Sequence, residues 1–527
     1  MTNSIHEIGD AECILAIGTN TTEAHPVIGL EAVRAAKNGK KLIIANPREI
    51  GLNRYASLWL RQKPGTDVAL IMGMARVIVD EALIDKSFIA DRCENFEAFR
   101  ESLRAFDLDT VSRITGVPAG DIALAARMYA TKKPATILYA MGITQHSHGT
   151  DNVLAIANLA MLTGNVGKPS SGVTPLRGQN NVQGACDMGA LPNVYPAYQS
   201  VVDPNAKKKF EEAWGRTLSG TAGLTLPEIF EGIHKGEIKA LYVIGENPVL
   251  TDPDSDHIKS ALSKLDLLVF QDIFLNETGQ HAHVVLPAAS FAEKDGTFTN
   301  TERRVQRVRR FAGQIGDSRP DWWITSQIAT RMGGKGFDYK SAVDIMTEIA
   351  RLTPSYAGIS YERLEKGSLQ WPCPTEEHPG TAILHKEIFT RGKGRFMPLE
   401  YKPSKELPDG LFPLVLTTKR SLYHYHTGTM THKVPGLEAL LSEGSVEINP
   451  LDAATLSIKD GDMVKITSRR GEITAKAKIS GMTPAGVVSM DFHFPGTPTN
   501  KITNPAFDPV SKIPELKVAA VRVEKAV

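Results

Sequence analysis

Residues 13–46 read CILAIGTNTTEAHPVIGLEAVRAAKNGKKLIIAN. The apolar run Cys13–Gly18 predicts a strand. Val27–Asn38, rich in Ala, Val and Leu, predicts a helix, and Lys41–Asn46 a second strand ending in Pro47-Arg48. The rhythm then repeats: apolar residues at helical spacing over Val68–Ala82, a strand at Ala135–Met141, a helix at Asp151–Leu162. Apolar strands alternating with helices predict a parallel α/β sheet covered on both faces. Ligands of such sheets lie beyond the carboxyl ends of the strands. Attention therefore falls on Gly18-Thr19-Asn20, Asn46-Pro47-Arg48 and Gly142-Ile143-Thr144-Gln145. The first turn lacks GxGxxG, so an ordinary NAD-binding unit is not supported. Taken singly, Arg48 reads as a solvated loop residue.

Further along, Ala240–Gly245 leads into Glu246-Asn247-Pro248, and Leu267–Asp272 is another strand. Residues 291–306, FAEKDGTFTNTERRVQ, gather Glu293, Asp295, Gly296, Asn300, Glu302 and Arg304. Residues 316–352 look helical, with Ile324, Ile328 and Met332 on one core-facing side. Residues 365–412 hold six prolines and read as a linker or covering loop. The period then changes to short β-branched strands: Leu414–Lys419, Ser445–Asn449, Asp462–Ser468, Glu472–Ile479, Gly486–Phe492 and Val518–Val523. That pattern predicts a β-barrel. The expected division is a Rossmann-like α/β domain over 1–179, a second α/β domain over 180–400 interrupted near 292–320, and a C-terminal barrel over 405–527.

The chain has 527 residues, too many for one core, and a net charge of +1. That balance gives no electrostatic case for nucleic acid or an anionic membrane. No apolar run approaches a bilayer span, and the first residues, MTNSIHEIGD, form no secretory signal. The expectation is a cytoplasmic chain. Its four cysteines (Cys13, Cys93, Cys186, Cys373) form no CxxC, which argues against an iron–sulfur or zinc framework built from them. Cys13 is expected to be a buried thiol.

The stretch Thr174–Gly189, TPLRGQNNVQGACDMG, carries neither a helical nor a strand period. Glycines among amides and one guanidinium suit a loop that brings planar donors close to a polar ligand. This segment resembles the active-site loop of formate dehydrogenase large subunits, in the molybdenum/tungsten bis-pterin oxidoreductase superfamily. The resemblance runs to about Val523 and includes INPLDAATLSIKDGDMVKITSRRGEITAKAKIS and an E-x-x-G-T-x-x-N-x-x-x-R pattern beginning at Glu293. It implies reversible two-electron oxidation of formate to CO2. Arg177 would grip the carboxylate, as its planar, permanently charged fork suits it to do, and Gln179 would assist.

The resemblance also implies two molybdopterin guanine dinucleotides and Mo or W. The first dinucleotide would be bordered by Asn20, Arg48, Asp67, Met141 and Gln145, with Gly178 in the key loop, and the second by Glu246, Asn247, Gln271 and Asp272. The barrel would add Thr418, Arg420, His424, His426, Thr427, Met430, Asn500 and Lys517. The two-residue spacing of His424 and His426 gives little support to a metal site, and hydrogen bonding to the pterin is the favoured reading. No residue is assigned as a metal ligand.

Family members also carry a cysteine-ligated [4Fe–4S] domain and a metal-binding Cys or selenocysteine, which have no counterpart here. Met1 matches an internal family position, as would arise from a selenocysteine codon read as a stop. An iron–sulfur or flavin electron-transfer subunit is the expected partner. The competing readings are another bis-pterin oxidoreductase, such as a nitrate reductase or formylmethanofuran dehydrogenase, and a non-catalytic pterin-binding chain.

Overall fold

The computed structural model describes residues 1–526, which divide into two compact units. The first comprises Met1–Leu176, Leu250–Ser255 and the chain from Ile383 onward; the second comprises Arg177–Val249 and Asp256–Ala382.

The first unit opens with β1 (Cys13–Ile17), β2 (Lys41–Ala45), β3 (Leu58–Leu60), β4 (Ala135–Tyr139) and β5 (Gly172–Pro175). They form one parallel sheet in the order β3-β2-β1-β4-β5. Within β1, Cys13, Leu15 and Ile17 enter one core while Ile14 and Ala16 enter the other, so both faces are covered. Helices Asp67–Asp80, Ala119–Thr131 and Gly149–Leu162 supply the first core, and Pro26–Lys37 the second. Burial pushes the Cys13 thiol up to about 12, so it is an inert core group.

The strand order reverses between β1 and β4. There the backbones approach so closely that Gly142 N–H donates to Gly18 O at 3.0 Å. A Cβ on Gly18, whose φ is +57°, would meet the Gly142 carbonyl carbon at 2.8 Å. Glycine is required at this point for both reasons.

The second unit contains a parallel sheet of β6 (Ala240–Ile244), β7 (Leu267–Asp272) and β8 (Val284–Pro287), in the order β8-β7-β6. An antiparallel hairpin follows, β9 (Gly296–Thr299) with β10 (Arg304–Val308). The helix expected to place Ile324, Ile328 and Met332 on one core face spans Asp321–Arg331. Ile324 is buried and Ile328 half-buried, but Met332 lies beyond the helix end and is 82% exposed. Gly333 and Gly334 follow it, so the apolar period outlasts the helix that should carry it.

Back in the first unit, β11 (Leu414–Lys419), β12 (Ser445–Ile448), β13 (Met463–Ser468), β14 (Gly471–Ile479), β15 (Val487–Asp491) and β16 (Ala519–Lys525) close into a six-stranded barrel. Its order is β11-β15-β12-β14-β13-β16. In β14, Ile473, Ala475 and Ala477 fill the interior while Glu472, Thr474 and Lys476 face out. The proline-rich stretch does cover: Phe396 is fully buried and stacks on Phe99 at 5.0 Å. Among the described residues, no helix is long and apolar enough to cross a membrane.

Candidate cofactor and substrate site

At the carboxyl ends of the first sheet, Asn20 caps a short helix and accepts a bond from Thr22 Oγ1 at 2.9 Å. Met141 opens the helical turn Met141–Thr144, and half-buried Gln145 closes it. Asp67, the first residue of its helix, is buried and accepts from Gln62 Nε2 at 3.1 Å. Burial raises its carboxyl to about 6. Beside it, burial lowers His146 to about 3, so that ring is neutral. Thr19 Oγ1, Gln62 Oε1, His146 Nδ1 and Asn152 Oδ1 are buried here without hydrogen-bond partners. Each such atom costs about 1–3 kcal/mol unless a ligand or water satisfies it. A polar ligand at these strand ends fits that set of atoms.

Arg48 is buried, and its fork is spent on a carboxylate. Nε and Nη2 donate to both oxygens of Glu447, at 2.8 and 2.9 Å. Lys419 Nζ lies 3.7 Å from Glu447 and 2.8 Å from Asp491. Burial alone would raise Glu447, but the hydrogen bonds from Arg48 and the charge of Lys419 hold it below its usual range. Burial keeps Glu23, 3.7 Å from Arg48 Nη1, above its usual range despite the charges of Arg48 and Lys419. A residue assigned to a nucleotide contact is therefore also half of an internal ion pair.

The barrel loops present a different electrostatic pattern. Lys517 Nζ donates to Thr418 O at 2.6 Å and to Thr418 Oγ1 at 3.1 Å. Arg420 lies over the Phe492 ring at 4.9 Å. Both residues retain some exposed surface, but their charged ends are enclosed. Burial, and then the neighbouring Arg420 charge, lower Lys517 to about 7; burial also lowers Arg420. Among the described residues no carboxylate pairs with either. Two enclosed like charges without an anion suit a phosphate-bearing ligand.

His426 is half-buried at φ +52°, and burial followed by the Arg420 charge lowers it to about 4. Thr427 Oγ1 shares a hydrogen bond with Thr429 Oγ1 at 2.9 Å, and Met430 is exposed. Asn500 Nδ2 donates to Leu250 O and Thr251 O, both at 2.9 Å, while its buried Oδ1 lacks a partner. The histidine that stacks on His424 is His432, with ring centroids 4.1 Å apart. His424, His432 and Glu438 form a cluster that sequence spacing did not suggest. His432 Nδ1 lies 2.7 Å from Glu438 and its Nε2 2.9 Å from His493 O, so the pair satisfies itself.

In the second unit, Asn247 is buried, accepting from Thr278 Oγ1 at 2.8 Å and donating to Glu277 at 2.7 Å. Gln271 donates to Asp321 at 2.8 Å. Burial first, then the charges of Asp321 and Glu246, raise Asp272 to about 6. Glu246 is exposed.

The stretch 174–189 begins in the last two residues of β5, includes the short helix Val182–Asp187, and docks on the β9–β10 hairpin. Arg177 N–H donates to Thr301 Oγ1 at 3.2 Å, and Thr299 N–H to Asn181 Oδ1 at 2.9 Å. Gly178 and Gln179 are half-buried, and Gln179 makes no side-chain hydrogen bond among the described residues. Arg177 Nε donates to Gln183 Oε1 at 2.9 Å. Gln183 Nε2 donates to Asp187 Oδ1 at 2.7 Å and to Tyr198 Oη at 3.0 Å. Asp187 is buried and also accepts from Tyr198 at 2.9 Å, Tyr356 at 2.6 Å and Trp371 Nε1 at 2.7 Å. Burial still leaves its carboxyl above the usual range. Sequence reading did not single out Gln183 or Asp187. The usable signal was their four-residue spacing, which a helix turns onto one face.

Both the α/β sheets and the closing barrel belong to a described architecture. The molybdopterin oxidoreductase signature matches residues 1–331, and that of the molybdopterin dinucleotide-binding domain matches residues 414–520. The chain belongs to the molybdopterin oxidoreductase family. Within that family it is 50% identical to the F420-dependent formate dehydrogenase subunit alpha of Methanocaldococcus jannaschii, over 100% of this chain and 78% of the relative. It is 40% identical to formate dehydrogenase H of Escherichia coli, over 99% of this chain and 74% of that protein. The fold matches acetylene hydratase from Pelobacter acetylenicus with a TM-score of 0.78 at 21% identity, covering 100% of this chain and 81% of that one. At that identity the likeness is one of fold.

Proposed function

We propose that this chain is the catalytic subunit of a formate dehydrogenase, oxidising formate reversibly to CO2, with Arg177 gripping the substrate carboxylate. The observation that carries the reading is the loop 174–189, where a guanidinium is anchored through Nε and its backbone is docked on the β9–β10 hairpin. Formate is a small monoanion, and a planar fork of fixed direction is the side chain that orients it best. Gln179, two residues on and uncommitted to other side chains, assists.

The cofactor we propose is a pair of molybdopterin guanine dinucleotides carrying Mo or W, which supplies the two-electron acceptor that no side chain can provide. Asn20, Asp67, Met141 and Gln145 would hold one dinucleotide; Glu246, Asn247, Gln271 and Asp272 the other. Arg420 and Lys517 would neutralise phosphate, with Thr418, His424, His426, Thr427 and Asn500 around them. Arg48 would contribute chiefly by fixing Glu447. The fit rests on the polar atoms at the strand ends and on the barrel cations, which among the described residues meet no hydrogen-bond partner and no carboxylate respectively. A separate electron-transfer subunit, an iron–sulfur or flavin protein, would take the electrons onward. Relatives named as alpha subunits support that expectation, and a [4Fe–4S] cluster would be ligated by residues other than these four cysteines. A cytoplasmic location belongs to the same reading.

The test is formate-dependent reduction of a viologen dye by the assembled holoenzyme, with its metal content measured. Arg177→Lys should lower kcat/KM about a hundredfold at unchanged metal content, since a point charge replaces a bidentate fork. Near-normal turnover in that variant would sink the assignment.

A further inference from the structure

We infer that Gln183 is a positioning residue for Arg177, held in register by the Asp187 carboxylate, and that this relay sets formate affinity. The inference rests on the reading of Arg177 as the formate-binding residue.

The geometry determines the amide. Gln183 is buried, its oxygen accepts from Arg177 Nε, and its NH2 donates to both Asp187 and Tyr198. The reverse orientation would turn NH2 toward the guanidinium N–H and oxygen toward the carboxylate, losing the bonds to Arg177 and Asp187. A carboxylate alone would not do the same work. Asp187 is already the acceptor for Tyr198, Tyr356 and Trp371, and those three donors fix it in the second unit. Residues 183 and 187 share one face of the short helix Val182–Asp187, so a rigid acceptor is passed one helical turn toward Arg177. With Nε held, the direction of the Nη1–Nη2 fork is set before substrate arrives. Pre-set direction lowers the ordering cost of binding. The interposed amide also keeps the guanidinium from pairing directly with Asp187, which would compete with an anionic substrate.

The experiment is a double-mutant cycle in the holoenzyme with Gln183→Met and Arg177→Lys, following KM and kcat for formate. Methionine keeps the volume and removes the hydrogen bonds. Gln183→Met should raise KM roughly tenfold, the scale of one hydrogen bond to a charged group, with kcat within about threefold. In the Arg177→Lys background the same change should add almost nothing. A Gln183→Glu variant guards against misfolding. It keeps an acceptor for Arg177, and its introduced carboxyl can share a proton with Asp187, so its KM should approach the parent value as pH falls.

If Arg177→Lys leaves formate kinetics intact, the reading of Arg177 fails first. If Arg177→Lys impairs the enzyme while Gln183→Met leaves KM unchanged, or costs equally in both backgrounds, the positioning role alone is refuted.

Discussion

Replacing Lys517 with methionine should stabilise the cofactor-free chain while destroying its affinity for a pyrophosphate-bearing ligand. Lys517 falls from its ordinary 10.5 to about 7 because its ammonium is enclosed and faces the Arg420 charge. A folded-state pKa depressed for a base means that the unfolded chain binds the proton more tightly. The penalty is therefore largest below pH 7 and relaxes as pH rises toward the unfolded value. A difference of about 3.5 pH units, at 1.36 kcal/mol each, corresponds to roughly 4–5 kcal/mol at pH 6. By pH 9 about 3 kcal/mol of it should be gone, because the folded chain has already lost its proton. Methionine fills the space left by the lysine stem and removes the charge. Urea titrations of parent and variant at pH 6 and pH 9 read the difference directly, since every other group is common to both. The variant should be the more stable at pH 6, and the gap should narrow at pH 9. Pyrophosphate should stabilise the parent chain and leave the variant unmoved. A gap that does not change with pH would refute the enclosure of the ammonium. Equal stabilisation of both proteins by pyrophosphate would refute the anion site.

Two further outcomes follow from the first unit. Gly18→Ala should destabilise by about 3 kcal/mol, combining a left-handed φ with a Cβ driven into the Gly142 backbone, and thermal melting would register it. Glu447→Gln should cost about 3–5 kcal/mol at neutral pH by taking the bidentate carboxylate from buried Arg48, while Lys419 keeps Asp491. Glu447 is held below its usual range when folded, so its contribution is present above the unfolded carboxylate value and lost as pH falls through the folded one. The deficit of the variant in denaturant titrations should accordingly shrink in acid.

The elements were legible because their periods are local. Leu414–Lys419 is read from the sequence with both ends in place, and β1, β2 and β4 to within two residues. Apolar runs buried on both faces leave little room for another register. Met332 shows the limit: a helical period can persist past the residue where glycines end the helix. The loop 174–189 was visible as an anomaly of composition, and its resemblance supplied a role for Arg177. Composition could not reveal that Gln183 Oε1 meets Arg177 Nε while Asp187 holds the other end, because three of the four donors to Asp187 come from residues 198, 356 and 371. His424 likewise finds His432 across a turn rather than the nearer His426.

The cations make the same point in energetic terms. Arg48 lies three residues past β2 and Arg420 directly after β11, and the sequence offers no reason to treat them differently. Their fates diverge because Glu447, 399 positions from Arg48, arrives in the folded chain with two oxygens for its fork, whereas Arg420 meets an aromatic face and a second cation. A paired buried charge holds the fold together; an unpaired one weakens it and persists only where something else supplies the anion. On that reasoning Lys517 against Arg420, an enclosed pair of like charges, is where an anionic ligand would relieve the fold. If so, cofactor loading should raise the stability of the parent chain most at low pH, where the Lys517 penalty is greatest, and the Lys517→Met chain should lose that pH dependence of the gain.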